Sequence, residues 1–225
     1  MNLKERAAAA ALQYVKSGMT LGLGTGSTAK VFIDLLGAEI KAGRLTGIRG
    51  VPTSNASDDQ AKSLGIEIID FSKTDFCDIT IDGADEIDPK LNVVKGLGGA
   101  LLREKVVAQH TKKLIIIADE SKIVTQLGTK QPLPVEITPF AKIVSEKFLK
   151  SIGCVPTLRL NADGTPYVTD NANYIFDCRF QKIDDPAALD RQLRSRAGIV
   201  ETGLFVGMAA VAIVGKPDGV DTLTR

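Results

Sequence analysis

Apolar and polar positions along the first half of the chain follow two alternating periods. Residues 3–16 carry an alanine-rich pattern at helical spacing, Ser17 and Gly18 stop it, and residues 19–23 read as a short strand. The glycine loop Gly22-Leu23-Gly24-Thr25-Gly26-Ser27-Thr28 then leads into a helix over 29–42. A strand over 48–52, a helix over 57–64 with Ser57 as its N-cap, and a strand over 66–69 follow. Residues 77–82 alternate, with Cys77, Ile79 and Ile81 on one side and Asp78, Thr80 and Asp82 on the other. That is the period of a half-buried strand ending at Asp82. Another helix begins near Ala100, and residues 113–118 form the continuous apolar run of a parallel strand covered on both faces. This alternation predicts an α/β fold with a doubly wound, mostly parallel, Rossmann-like sheet, in which ligands bind beyond the carboxyl ends of the strands.

The pattern changes at Gln131-Pro132-Leu133-Pro134, where two prolines mark a boundary. Beyond it the sequence reads as a strand over 135–138, a helix over 141–152, strands over 155–160, 167–169 and 174–178, a helix from Asp185-Pro186 to about residue 195, and a strand over 199–202. This order predicts a smaller α+β domain with an antiparallel sheet, suited to a lid or a dimer contact. The apolar run 205–214 returns to the first sheet.

Chemistry concentrates in residues 82–104, DGADEIDPKLNVVKGLGGALLRE. Asp82 stands at a strand end, Gly83 permits a sharp turn, and Asp85 follows closely enough for both carboxylates to reach one small polar object. On the helix after Lys95-Gly96-Leu97-Gly98-Gly99, Glu104 falls within the apolar arc of Val107, Ala100, Ala108 and Leu101, whereas Lys105 and Gln109 project elsewhere. An inward carboxylate acquires a partner or a raised pKa, and a raised pKa suits a general base. A structural Glu, paired with an internal Lys or capping a neighbouring helix, is the competing reading. Four polar segments share the predicted ligand rim: 25–28, 82–85, 95–98 and 119–122. The first glycine loop suits an anion, through helix N-terminal amides and hydroxyls, but it lacks the Gly-Lys-Ser/Thr of a nucleotide P-loop and equally describes a tight βα turn.

Composition narrows the chemistry. A chain of 225 residues with 44% hydrophobic and 24% charged residues is that of a globular protein, and its net charge of +1 gives no footprint for nucleic acid. Cys77, Cys154 and Cys178 form neither a disulfide framework nor a zinc motif, which fits a reducing cytoplasm. No signal-peptide core stands at the start, and the longest nearly uncharged run, 13 residues over 203–215, is too short to cross a bilayer, so no membrane association is expected. Asp82, Asp85, Glu86 and Asp88 do not match an EF-hand, and the only histidine, His110, reads as an exposed structural residue. Acid–base work therefore falls to carboxylates.

Together, Gly24-Thr25-Gly26-Ser27-Thr28, Asp82-Gly83-Ala84-Asp85-Glu86, Lys95-Gly96-Leu97-Gly98-Gly99-Ala100 with Arg103-Glu104-Lys105, Ala118-Asp119-Glu120-Ser121-Lys122, Pro132-Leu133-Pro134-Val135-Glu136 and Gly215-Lys216-Pro217-Asp218-Gly219-Val220 resemble ribose 5-phosphate isomerases of the A type, in that family's order and along essentially the whole chain. The resemblance implies interconversion of D-ribose 5-phosphate and D-ribulose 5-phosphate in the non-oxidative pentose phosphate pathway, through an enediolate and without metal or organic cofactor. It implies Glu104 as the base, Lys95 as the stabiliser of the enediolate oxygen, and Asp82 and Asp85 as ligands of the sugar hydroxyls that assist ring opening. Substrate-binding positions become Thr25, Gly26, Ser27, Thr28, Asp82, Gly83, Ala84, Asp85, Lys95, Gly96, Leu97, Gly98 and Lys122. Leu97 departs from a loop that is often richer in glycine. The family's organisation corresponds to a catalytic domain of residues 1–131 plus 207–225 and a smaller domain of 132–206, in a cytoplasmic homodimer or homotetramer. A sugar-phosphate sensor without the base and a coenzyme A transferase with a nucleophilic glutamate are the alternatives. Glu104 argues against the first, and the lack of a coenzyme A site against the second.

Overall fold

The computed structural model describes residues 2–225. The elements of the first half are α1 (Leu3–Leu12), β1 (Thr20–Leu23), α2 (Ser27–Lys41), β2 (Arg49–Pro52), α3 (Asn55–Ser63), β3 (Glu67–Ile68), β4 (Ile79–Asp82), β5 (Glu86–Ile87), β6 (Val93–Val94), α4 (Leu101–Gln109) and β7 (Leu114–Asp119). Then come β8 (Leu133–Ile137), α5 (Lys142–Ser151), β9 (Val155–Leu158), β10 (Tyr174–Arg179), α6 (Pro186–Arg194), β11 (Ile199–Thr202), β12 (Leu204–Phe205), β13 (Ala209–Lys216) and β14 (Gly219–Thr224). They form two compact units: one takes the chain up to Ala84, Arg103–Lys122 and Met208–Arg225, the other Asp85–Leu102 and Ile123–Gly207. Residues 85–102 and 123–131 thus group with the second unit, because β5 pairs with β6 and β6 with β12, in a small sheet separate from the large one.

The first unit is built on a seven-stranded sheet of order β14-β13-β7-β4-β1-β2-β3, in which all neighbours are parallel except the edge pair β13 and β14. This is the expected mostly parallel sheet, with an antiparallel edge that the sequence reading did not include. Leu21, Leu23, Phe32, Ile33, Leu36, Ile79, Ile81, Ile115 and Ile117 belong to one core cluster. Strand β4, read as half-buried, is buried along its whole length. It lies between β1 and β7, so Thr80 and Asp82 face covering structure rather than water. In α1 the wholly buried Ala7, Ala8 and Ala11 keep the helix thin. Its first turn meets β13 at Gly215, where a methyl group would stand 1.9 Å from the Leu3 carbonyl oxygen. At α3 the N-cap is Ser54, with Ser57 completing the capping box from the third helical position, so the helix starts earlier than the sequence reading placed it.

The second unit holds an antiparallel sheet of order β11-β8-β10-β9 and the small sheet β12-β6-β5. Leu149 of α5 and Leu193 of α6 join Leu133, Val135, Ile137 and Phe176 in its core. Residues 167–169, read as a strand, form no ladder. Thr169 instead closes a turn, accepting from the Asn171 and Asn173 amides and donating its hydroxyl to Glu136. The apolar run 205–214 breaks at Gly207, where φ is +72°, so its start pairs in β12 and its remainder crosses to the large sheet as β13.

Candidate active site

Strands β7, β4 and β1 are neighbours in the first unit, so their carboxyl ends bring three of the sequence-predicted segments together. The backbone of Gly24 passes so close to Asp82 that a methyl there would stand 2.3 Å from Oδ1 and 2.5 Å from Cα. That approach lets the Thr25 amide donate to Asp82 Oδ1 at 3.0 Å, beside the Gly83 amide at 2.7 Å. Bonds from amides to a carboxylate are charge-assisted and fix its orientation. The Thr25 hydroxyl is engaged within the protein, 2.7 Å from Thr53 Oγ1 and 2.8 Å from Ser54 Oγ.

After Thr25 the chain turns through Gly26, at φ +102°, into α2, whose first amides carry no side-chain cap. Such a terminus attracts anions. A residue that the sequence reading did not include stands here: Lys4 Nζ donates to Ser27 Oγ at 2.9 Å. Lys4 also acts on Asp119, together with Lys122. Burial pushes the Asp119 carboxyl up, but the Ser121 hydroxyl and amide, with the charges of Lys122 and Lys4, hold it below its ordinary value. The Gly215 approach, which seats the first turn of α1 on β13, is what carries Lys4 to this place.

Helix α4 belongs to the first unit from Arg103 onward. Gly22 admits it to β1 and β4, since a methyl on Gly22 would stand 2.7 Å from Val107 Cγ1 and 2.0 Å from Thr80 Oγ1. Arg103 ties the helix to α3 through a 2.8 Å bond to Asn55 Oδ1. Glu104 is 4% exposed and Asp82 1%, as the inward arc required of Glu104. Lys105, expected to point outward, is buried as well at 2%. The buried face runs from Val107 past Leu101 to Lys105, roughly 160° of the wheel at 100° per residue, one step wider than the apolar arc.

The second unit carries Asp85 and the segment from Lys95 to Gly98. The Leu97 amide donates to Asp85 Oδ2 at 2.9 Å, and the Asp85 amide donates to the Val94 carbonyl at 2.8 Å. Lys95 is 2% exposed, its amide bonded to the Gly203 carbonyl at 2.9 Å and its ammonium 5.5 Å from the Phe205 ring centre. Gly96 and Gly99 adopt φ of +99° and +83°, and the Gly99 amide closes a turn on the Gly96 carbonyl at 2.9 Å.

The acidic run 82–88 does not act as one cluster. Glu86 is fully buried and accepts from the amides of Gly128, Lys130 and Gln131 at 2.5, 2.6 and 2.8 Å, while Asp88 binds the amides of Lys90 and Asn92. Among the described residues no three His, Cys, Asp or Glu side chains group as a metal ligand set. His110 is exposed, with Nδ1 2.8 Å from the Val106 carbonyl oxygen. The three cysteines are free and buried, and burial pushes the Cys77 thiol up to about 11.

The chain matches the sequence profile of ribose 5-phosphate isomerase A (phosphoriboisomerase A) over residues 49–219. It is 50% identical to the ribose-5-phosphate isomerase A of Deinococcus radiodurans over 224 residues, 99% of this chain and 98% of that protein. It belongs to the ribose 5-phosphate isomerase A family.

Membership makes the chain an enzyme, an aldose–ketose isomerase. The isomerase of Desulfatibacillum aliphaticivorans is likewise 50% identical, over 97% of this chain and 95% of that one. Among solved structures, a D-ribose-5-phosphate isomerase in complex with phospho-erythronic acid superposes with a TM-score of 0.98 at 39% identity, covering 100% of both chains. The ribose 5-phosphate isomerase A of Methanocaldococcus jannaschii superposes at 0.95 with 38% identity, covering 99% of this chain and 98% of that one. No described helix is long and apolar enough to cross a membrane. Lys4 stayed hidden from this isomerase's sequence because α1 shows only an alanine-rich pattern, and its docking on β13 joins opposite ends of the chain.

Proposed function

We propose that the chain interconverts D-ribose 5-phosphate and D-ribulose 5-phosphate by proton transfer through an enediolate, with Glu104 as the base. Glu104 takes the proton from C2 of the open-chain aldose. The electrons of that bond form the C1–C2 double bond, and negative charge develops on O1. The C2 hydroxyl proton then passes to O1, which becomes the C1 hydroxyl, the C2 carbonyl forms, and C1 recovers the proton held by Glu104. Lys95 stabilises the charged oxygen, an electrostatic role that a fixed, desolvated ammonium fills well. Asp82 and Asp85 bind the sugar hydroxyls and assist opening of the furanose ring. Three chain steps keep their α-carbons within about 11 Å of each other.

The phosphate belongs at the start of α2, on the Ser27 and Thr28 amides and hydroxyls, with Lys4 and Lys122 as counter-charges. Gly26, Gly83, Ala84, Gly96, Leu97 and Gly98 contribute backbone around the sugar, while Thr25 fixes Asp82. The phospho-erythronic acid bound by a relative fits this chemistry, since a carboxylate beside a hydroxylated carbon reproduces the planar charge of an enediolate. The reaction needs no metal or organic cofactor. We extend the reading to a cytoplasmic homodimer or homotetramer serving the non-oxidative pentose phosphate pathway, which rests on family resemblance.

One observation carries the reading: a carboxylate, Glu104, is buried on a helix packed against the strands β1 and β4, the second of which ends in Asp82. Glu104→Gln keeps the size and loses the base, so kcat should fall by roughly 10²- to 10⁴-fold in a coupled ribose 5-phosphate assay. Absence of turnover by folded wild type would sink the assignment, and full activity in the variant would remove Glu104 from its role.

A further inference from the structure

In the second unit, one side chain outside the proposed catalytic set grips the loop that follows Lys95. Arg159 lies just after β9, its amide bonded to the Ile175 carbonyl at 2.8 Å and its carbonyl accepting from Tyr167 at 2.9 Å. Its guanidinium forms a fork with Asp177 of β10, Nε to Oδ2 at 2.9 Å and Nη2 to Oδ1 at 2.5 Å. The remaining nitrogen, Nη1, donates to the carbonyl oxygens of Gly96 and Leu97, each at 3.1 Å. Arg159 also stands 5.7 Å from the Tyr167 ring centre, and Tyr167 fills the place where Gly99 would carry a side chain, 2.2 Å from its hydroxyl.

The peptide plane between Gly96 and Leu97 is thus held at both ends: its carbonyl by Arg159, its N–H by Asp85. Gly96 sits at φ +99°, in a region where glycine lets a peptide rotate at little cost, so the plane needs outside restraint. A bidentate Arg–carboxylate pair provides it, because the planar guanidinium is fixed before it meets the loop.

We propose that Arg159, oriented by Asp177, is a positioning residue for catalysis: it fixes the Gly96–Leu97 peptide so that the Leu97 N–H aims the Asp85 carboxylate at the sugar. It touches no substrate and acts through Leu97 and Asp85. The inference rests on the isomerase reading above. Lysine can neither fork onto Asp177 nor span two carbonyls, so even the charge-conserving change should be felt.

The test is steady-state isomerase kinetics of wild type, Arg159→Lys, Arg159→Ala and Asp177→Asn, each checked for folding by circular dichroism and thermal melting. The expected result is a loss in kcat of roughly 10- to 100-fold for both Arg159 variants, the scale of a small misplacement of catalytic groups, with KM changed less than about threefold. Asp177→Asn should follow in the same direction, and it and Arg159→Lys carry the test if Arg159→Ala fails to fold. A double-mutant cycle with Asp85→Asn separates positioning from general loosening: the Arg159 effect should largely vanish once Asp85 is neutral. Additive losses, or wild-type kcat in folded Arg159→Lys and Asp177→Asn, would overturn the clamp. A folded wild type without turnover would overturn the isomerase reading itself and the clamp with it.

Discussion

The two glycine loops of this isomerase look alike in sequence and are built on different principles. In Gly22-Leu23-Gly24-Thr25-Gly26, glycine serves mainly close approach: Gly22 admits the helix α4, and Gly24 admits Asp82 at the end of the neighbouring parallel strand β4. In Lys95-Gly96-Leu97-Gly98-Gly99, glycine serves backbone conformation at Gly96 and Gly99, and the loop is tied down by side chains, Asp85 and Arg159. The first loop inherits its geometry from regular strand ends. The second depends on individual hydrogen bonds, so damage to it should be more local and more easily compensated.

Substitution at Gly24 should do the greater harm. Gly24→Ala places a methyl against the backbone and carboxylate of Asp82, which neither can evade without moving the strand end. Overpacking of this kind costs about 1–3 kcal/mol, and displacement of Asp82 should lower kcat/KM by roughly 100-fold. Melting and kinetics measured together check this, and an active, stable variant would break the contrast. Gly99→Ala should cost less. Alanine at φ +83° loses about 1–2 kcal/mol, and its methyl meets the Tyr167 side chain, first the hydroxyl and then the ring edge, rather than backbone. Tyr167→Phe in the same chain should recover part of the loss, whereas no analogous removal of one atom rescues Gly24→Ala.

The smallest effect concerns pH. Glu136, buried in β8, accepts from Thr169 Oγ1 and Asn173 Nδ2 at 2.9 Å each, yet burial outweighs these bonds and raises its pKa. A carboxyl whose pKa is higher in the folded than in the unfolded chain contributes stability at pH below the unfolded value, near 4.5. That contribution is lost as pH rises through the folded value. Urea or thermal melts between pH 4 and 7 should therefore show Glu136→Gln gaining on wild type as pH rises. A difference independent of pH would remove Glu136 as a titrating element of the second unit.

What the sequence disclosed follows the same contrast. Period and strand-end logic located Asp82, the first loop and the inward Glu104, because each depends on neighbours in sequence and on a regular sheet. Lys105 escaped because apolar arcs underestimate a buried face that includes a charged edge. The pairs formed by β5, β6 and β12 are two residues long and carry no periodic signal. Lys4 on Ser27 and Arg159 on the Gly96 and Leu97 carbonyls are partnerships across distant parts of the chain, which no local spacing encodes.

The central claim, that a buried glutamate on α4 moves the substrate proton, meets its most direct test in hydrogen exchange. Ribose 5-phosphate incubated in D2O with wild type should incorporate deuterium at the exchanging carbon, read by NMR. Glu104→Gln should leave that carbon protiated over the same time while still binding phospho-erythronic acid. Exchange by a well-folded Glu104→Gln variant at close to the wild-type rate would contradict the claim and send the search for the base to another carboxylate.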